Sequence, residues 1–276
     1  MKKSILLIAV CLLFSKLSTS QDIKNVRFGI RFTPAINWMV PDNDKKIQKG
    51  GAVMKAGIGL VLEFKLASVV SLQTGLEYSG AGCKAKYGTD SAAYLYKDDA
   101  IVKATIANDM VKNADSTFFA SGGTILFLKE RKYNIGYLNI PLTFKLKTKD
   151  IGGFTYFGQI GGNLFIRTST RGNNSYTVYQ EKLGVPIISK DIVKDSKVDV
   201  SKSVNLFSAC GSFGAGAEYN ISGSTSAYAS LHYQYHFMNT TKADSGYLIR
   251  FKDGKASEFP NTMKLRQIVL AIGILF

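Results

Sequence analysis

The chain contains two histidines, His232 and His236. Histidine is the side chain best suited to proton transfer near neutral pH. Beside a serine and a carboxylate it supports acyl transfer or hydrolysis. Both rings sit in a segment, Thr225 to Phe237, that alternates apolar and polar side chains. On an extended strand, four residues put them on one face but roughly 13 Å apart, too far to chelate one metal ion directly. His236, near one end of the segment, could meet a loop serine and mimic an acyl-transfer site on lipid or peptide. Hydrogen bonding in an interior is the simpler role for both.

Other chemistry-bearing side chains obey the same alternation. Arg27, Arg31, Glu63, Lys65, Glu77, Lys145, Arg167 and Glu218 fall on the polar parity of their segments and are expected to face inward. Buried charges must be paired, so they imply a salt-bridged polar filling or, as a second reading, a narrow conduit. Cys83 and Cys210 show neither metal-ligand spacing nor a Cys–His nucleophile pattern. Gly161-Gly162, Gly211 and Gly214-x-Gly216 precede no helix and are not phosphate-binding loops. No catalytic, cofactor-binding or metal-binding residue is assigned, and no cofactor is expected.

The elements that must position these groups are strands. Counting back from Phe276, the residues Phe276, Ile274, Ile272, Leu270 and Ile268 are large and apolar. Gly273, Ala271, Val269 and Gln267 lie between them, with Leu275 the exception. That is a strand with one apolar face. Seven upstream segments follow the rule: Val26–Trp38, Ala56–Leu66, Ser71–Tyr78, Tyr137–Lys147, Phe154–Arg167, Asn205–Tyr219 and Thr225–Phe237. Their lengths, roughly 8 to 15 residues, suit a tilted membrane strand of about 9–11. Short joints near 67–70, 148–153 and 220–224 alternate with long ones, Met39–Lys55, Ser79–Gly136, Thr168–Val204 and Met238–Met263. Alternating short turns and long loops, with an even strand count, characterise outer-membrane barrels. The expected fold is therefore all-β: an eight-stranded antiparallel up-and-down transmembrane β-barrel, with short periplasmic turns, long extracellular loops and both termini periplasmic.

Aromatic residues on the outward parity support two girdles at the lipid headgroups. Trp38, Tyr78, Phe207, Tyr235 and Phe237 fall near one rim, and Phe28, Phe64, Phe144, Phe154, Tyr219 and Phe276 near the other. A soluble lipocalin-like barrel also alternates, but it would turn the apolar face inward and leave Gly57, Gly59, Val269 and Ala271 to solvent. Within the loops, Lys97 to Ala114 repeats Val102, Ile106 and Met110 every four residues, with Asp98 as a cap. This predicts a short amphipathic helix over the barrel mouth. The 168–204 loop, mixing Lys and Asp, is expected to continue its hairpin beyond the membrane.

At the front, Lys2-Lys3, the apolar run Ser4–Phe14 and Ser18-Thr19-Ser20 predict a signal peptide over residues 1–20, cleaved before Gln21, with residues 21–276 forming one barrel domain. The net charge is +15, and about +12 without the leader. No basic run or nucleic-acid motif accompanies it. Lipopolysaccharide phosphate is the expected counter-charge, and no nucleic-acid partner is expected.

Tyr137-Leu138-Asn139-Ile140-Pro141-Leu142 resembles the Tyr-Leu-x-Ile-Pro segment of the PorT-like outer-membrane β-barrel family of Bacteroidetes. Gly214-Ala215-Gly216-Ala217-Glu218-Tyr219 is similar to its Gly-x-Gly-x-Glu strand. Gln21 after the leader and the aromatic Phe276 fit the same pattern. The resemblance covers the strands and not the long loops. It implies a cell outer membrane address, and a last strand read by the barrel-assembly machinery. The namesake serves type IX secretion and gliding, a role not carried over. Pro141, lacking an N–H, predicts a bulge or kink in its strand. The functional expectation is a non-enzymatic barrel with a binding, structural or envelope-assembly role, its loops meeting an envelope protein, a ligand or lipopolysaccharide. The alternatives are a lipid- or peptide-hydrolase or acyltransferase using His232 or His236, and a narrow solute channel.

Overall fold

A computed structural model describes residues 26–42, 47–88, 92–97, 100–103, 123–182, 185–188, 193–243, 246–252 and 255–276. The strands are β1 (Val26–Phe32), β2 (Ala35–Pro41), β3 (Ile47–Gly51), β4 (Val53–Lys55), β5 (Gly57–Lys65), β6 (Val70–Tyr87), β7 (Ala93–Lys97), β8 (Ala100–Ile101) and β9 (Thr124–Lys147). They continue with β10 (Phe154–Lys182), β11 (Val185–Ile188), β12 (Val193–Asp199), β13 (Phe207–Ser222), β14 (Thr225–His236), β15 (Ile249–Lys252), β16 (Lys255–Glu258) and β17 (Met263–Leu275). All belong to one sheet, and every pairing is antiparallel, as the alternation implies. Among the described residues no helix is long and apolar enough to cross a membrane.

The ladder returns to its start. β1 pairs with β5, β5 with β6, β6 with β9, β9 with β10, β10 with β13, β13 with β14, and β14 with β17. β17 then pairs with both β1 and β2. Closure removes the open edges that would otherwise invite aggregation.

The face assignment follows the sequence rule along each of these strands. Phe28, Ile30, Phe32, Ile58, Leu60, Leu142, Phe144, Ile160, Phe213, Leu231 and Ile272 are exposed on the outer surface. Glu63, Gln73, Glu77, Asn139, Lys145, Gln159, Glu218, Gln234 and His236 are buried within. A soluble barrel would show the reverse. Leu275, the exception to the alternation, is fully buried with Val61, Phe157, Tyr228 and Ala271, so a large inward residue there fills a hydrophobic layer.

Several boundaries differ from the sequence reading. The first strand divides at Thr33–Pro34: β1 ladders with β5, whereas β2 ladders with β4 and β17. Pro34 has no N–H to donate, though its carbonyl accepts from Leu270 at 2.9 Å. The described residues of the stretch read as the Ser79–Gly136 loop are largely strand, since β6 runs on to Tyr87 and β9 begins at Thr124. The hairpin after Arg167 does continue, through β10 to Lys182 with β11 and β12 beside it. At the start of the expected 97–114 helix lie β7 and β8 instead, forming a small hairpin. Its remainder from 104, its cap Asp98, and the leader with its cleavage site lie outside the described residues. At Pro141 the bulge does not form. The β6–β9 ladder skips Gly75 and Leu76 and resumes in the same register at Glu77↔Asn139. Thr74 Oγ1 donates to the Pro141 carbonyl at 2.8 Å.

The long strands all extend from the end opposite the short turns. Inside this extended end lies a hydrophobic core that includes Met39, Ile47, Cys83, Leu128, Tyr133, Tyr137, Phe165, Leu248, Phe259 and Leu265. Leu248 and Phe259 come from the 238–263 connection, which folds over the opening. Cys83 and Cys210 are both buried in that core as free thiols.

Candidate functional site

Three layers of interior side chains are stacked along the barrel. Nearest the short turns is a charge cluster contributed by β1, β5, β9 and β13. Lys145 is fully buried. Its Nζ contacts Glu63 Oε2 at 3.1 Å and donates to Glu218 Oε1 as well. Lys147, two residues on and therefore on the same face, pairs with Glu63 and stands 3.5 Å from Glu218. Arg27 Nη2 reaches Glu63 Oε1 at 2.7 Å and Glu218 Oε2 at 3.1 Å. Lys145 Nζ also lies 4.0 Å from the Phe157 ring centre, a cation–π contact. Three cations thus share two carboxylates. At the inner edge of this charged layer, Arg31 Nε is 2.6 Å from Glu77 Oε2, and Thr33 Oγ1 donates to Glu77 Oε1 at 3.0 Å.

Most of the charged residues expected inside are brought together here. Two are not. Lys65 is exposed at the mouth near the short turns, because β5 ends there. Arg167 lies toward the other end, where its Nη1 donates to the backbone carbonyls of Ser201 and Val204, the latter at 2.9 Å.

The middle layer is neutral. Gln159 Nε2 donates to Gln73 Oε1 at 2.7 Å. Ser208 Oγ lies 2.8 Å from His236 Nδ1, and His236 Nε2 lies 3.2 Å from Gln267 Oε1. Gln267 Nε2 donates to Asn37 Oδ1, and Asn37 Nδ2 donates to the Ala35 and Val53 carbonyls. Those two carbonyls orient both amides, so the Gln267 oxygen faces the ring and the proton belongs on His236 Nε2. Nδ1 then accepts from the Ser208 hydroxyl. The Ser–His pair sought in the sequence is therefore present, with the serine supplied by β13 rather than a loop. An amide replaces the carboxylate of a catalytic triad. His236 has no exposed surface, and its ring packs 4.8 Å from that of Phe165. His232 is separately paired with Ser230, at 2.8 Å. The free space between this layer and the Arg31–Glu77 pair, bounded also by Asn139, Asn163, His232 and Gln234, is about 30 Å³, room for only a few water molecules. Among the described residues no three His, Cys, Asp or Glu side chains are grouped as metal ligands.

The third layer, in the extended end, centres on Arg131 of β9, which is opposite Ala85 of β6 and Asn174 of β10. Only 1% of its surface is exposed. Nε donates to Asn174 Oδ1 at 2.7 Å, and Nη2 donates to the Tyr94 hydroxyl. The guanidinium carbon lies 5.6 and 5.5 Å from the ring centres of Tyr94 and Tyr133. Nη1 is buried without a hydrogen-bond partner, and no carboxylate among the described residues forms an ion pair with this side chain. An unsatisfied buried donor costs about 1–3 kcal/mol, and more when charged. Arg131 forms part of the wall of a chamber of about 370 Å³ shared with Tyr94, Tyr176, Asp199, Lys202 and Tyr247. Lys202 Nζ donates to the Tyr247 hydroxyl at 2.6 Å. Asp199 accepts the Ser201 N–H at 2.8 Å, and that bond holds its carboxyl below the usual pKa.

None of the residues around this chamber stood out in the sequence. Arg131 lies in Lys129-Glu130-Arg131-Lys132, which reads as a solvated charge run. The available signal was parity: carrying the inward set Tyr137, Asn139, Pro141 back by twos reaches Ile135, Tyr133 and Arg131.

The profile of the outer membrane protein β-barrel domain family matches residues 19–242. The chain belongs to this family. Membership implies an outer-membrane address and agrees with the apolar outer face. Comparison with curated protein sequences gives no match. Solved structures similar to the chain include Neisserial surface protein A, with 9% identity over 90% of this chain and 95% of that one, at a TM-score of 0.37. OprG from Pseudomonas aeruginosa has 11% identity over 92% and 98%, with a TM-score of 0.34. The outer membrane protease OmpT from Escherichia coli has 8% identity over 94% and 98%, with a TM-score of 0.33. Alignments this loose carry no function across.

Proposed function

We propose that the ring is an eight-stave, up-and-down transmembrane barrel of the PorT-like type, and that it acts as a non-catalytic surface-binding or envelope-assembly protein. Its short turns face the periplasm together with both chain ends, after cleavage before Gln21. The extended end faces the exterior. The outer wall contacts lipid and lipopolysaccharide, β17 is read by the barrel-assembly machinery, and the extended end meets a ligand or an envelope partner.

The observation that carries this reading is the filled interior. Lys145, Lys147, Arg27, Glu63 and Glu218 cross-link four strands at one end, and a hydrophobic core closes the other. A barrel of this size is just wide enough for its side chains to fill, so solute passage is disfavoured and the free surface for recognition lies at the extended end. The burial of His236 and the amide on its far nitrogen disfavour the hydrolase alternative. Planar-bilayer recording of the purified protein tests the reading. A silent bilayer is expected, and steady unitary conductance would replace it with a channel. Hydrolysis of lipid or peptide by the wild type, lost in a His232→Ala/His236→Ala variant, would replace it with an enzyme.

A further inference from the structure

We propose that the Arg131 chamber binds the acidic group, carboxylate or phosphate, of a small ring-bearing molecule such as a sugar acid or sugar phosphate. The proposal deepens the surface-binding reading and rests on it.

Arg131 is the one guanidinium of the described residues that is fully buried, lacks an ion pair and keeps an unpartnered nitrogen. Of the other inward arginines, Arg27 is neutralised by Glu63 and Glu218 and Arg31 by Glu77, while Arg167 is held by the Ser201 and Val204 carbonyls. The tyrosine faces and Asn174 position the guanidinium but leave its charge uncompensated. A buried cation in that state is stabilised by an anion delivered to it. Arginine presents a planar donor set suited to carboxylate and phosphate.

The surroundings define the rest of the ligand. Lys202, exposed on the chamber wall, supplies a second cation. Tyr94 and Tyr176, whose rings meet edge to face at 6.3 Å, together with Tyr247, provide ring faces and hydroxyls. Such amphipathic aromatic walls suit a sugar or aromatic ring with polar edges. The volume falls in the range of small-molecule sites, about 300–1,000 Å³. Asp199 is the one carboxylate on the wall. Held ionised by the Ser201 N–H, it faces the chamber as an acceptor for a ligand hydroxyl.

The test uses the full mature chain refolded in lipopolysaccharide-free detergent, with binding followed by calorimetry and tyrosine fluorescence at matched ionic strength. The probes are inorganic phosphate, glucose 6-phosphate, glucuronate and neutral glucose. Saturable binding of at least one ring-bearing acid is expected, with none for glucose. Arg131→Gln should weaken it at least tenfold and Lys202→Gln about threefold. Should Arg131→Gln fail to fold, the exposed Lys202→Gln and the conservative Tyr176→Phe carry the comparison. If the soluble probes are silent, purified lipopolysaccharide is titrated. Binding that needs its phosphates and Arg131 assigns the acid group to a lipid headgroup rather than a free molecule. Binding unaffected by Arg131→Gln, or no binding of any anionic probe to a well-folded protein, would overturn the proposal. Bilayer recording of the same preparation reports separately on the closed-barrel reading.

Discussion

Removing a carboxylate from the lumen cluster should cost more stability than removing its most buried cation. Glu63 contacts Arg27, Lys145 and Lys147. In Glu63→Gln, three cations are left around Glu218 alone, with Lys145 fully buried and Arg27 and Lys147 mostly so. In Lys145→Met, two cations remain for two carboxylates: Glu63 keeps Arg27 and Lys147, and Glu218 keeps Arg27. Breaking a buried pair so that charge is left uncompensated costs about 3–5 kcal/mol, and Glu63→Gln belongs in that range. Lys145→Met leaves the balance even and fills the space with an apolar side chain against Phe157, so about 1–2 kcal/mol is expected. The double variant should be less destabilised than Glu63→Gln alone, because deleting Lys145 relieves part of the excess positive charge. Coupling between contacting residues of this kind amounts to about 0.5–3 kcal/mol. Equilibrium urea unfolding in detergent micelles, followed by tryptophan fluorescence and by gel mobility without heating, measures all three. Equal costs for the two single variants, or additive costs in the double, would refute the cluster as an interdependent charge layer.

Four further outcomes follow from named residues. His236→Ala should destabilise the barrel by about 1–3 kcal/mol in the same urea assay, since it strands Ser208 and Gln267. Gly29→Ala should lower refolding yield and cost about 1–3 kcal/mol, because its Cβ would lie 2.0 Å from the Ile274 carbonyl oxygen on the closing seam. Gly158→Ala faces open space on the outer wall and should be neutral within about 0.5 kcal/mol. Cys83 and Cys210 should resist maleimide in the folded protein and react fully after boiling in detergent, as expected of buried thiols.

The inward and outward faces were legible in the sequence because a membrane imposes contrast. Where lipid is the outer solvent, Leu138, Ile140, Leu142 and Phe144 must be apolar and the residues between them are free to be polar. Upstream of Tyr137 that contrast fades. Lys132 and Asn134 take the outward parity while Tyr133 and Ile135 point in, so the strand continues but its pattern no longer looks like a membrane strand. The same loss of contrast hid Arg131. The division of the first strand at Pro34 was visible as a residue without a donor, but the choice of partners on either side is set by strands far away in sequence. Leu248 and Phe259 were unreadable for a similar reason: they act as core only because the 238–263 connection folds back onto β9 and β17. Of the chemistry, the lumen charges were legible by parity, and the Ser208–His236 pair only in part, since the serine comes from a neighbouring strand set by register.

The most direct test of a surface role for the extended end is the accessibility of single introduced cysteines in intact cells. The native thiols are buried and give a low background. Lys194→Cys lies on exposed β12, and Ser224→Cys lies in an exposed short turn. With a membrane-impermeant maleimide, labelling at 194 and protection at 224 until the outer membrane is permeabilised is the predicted result. Labelling at 224 with protection at 194 would contradict it.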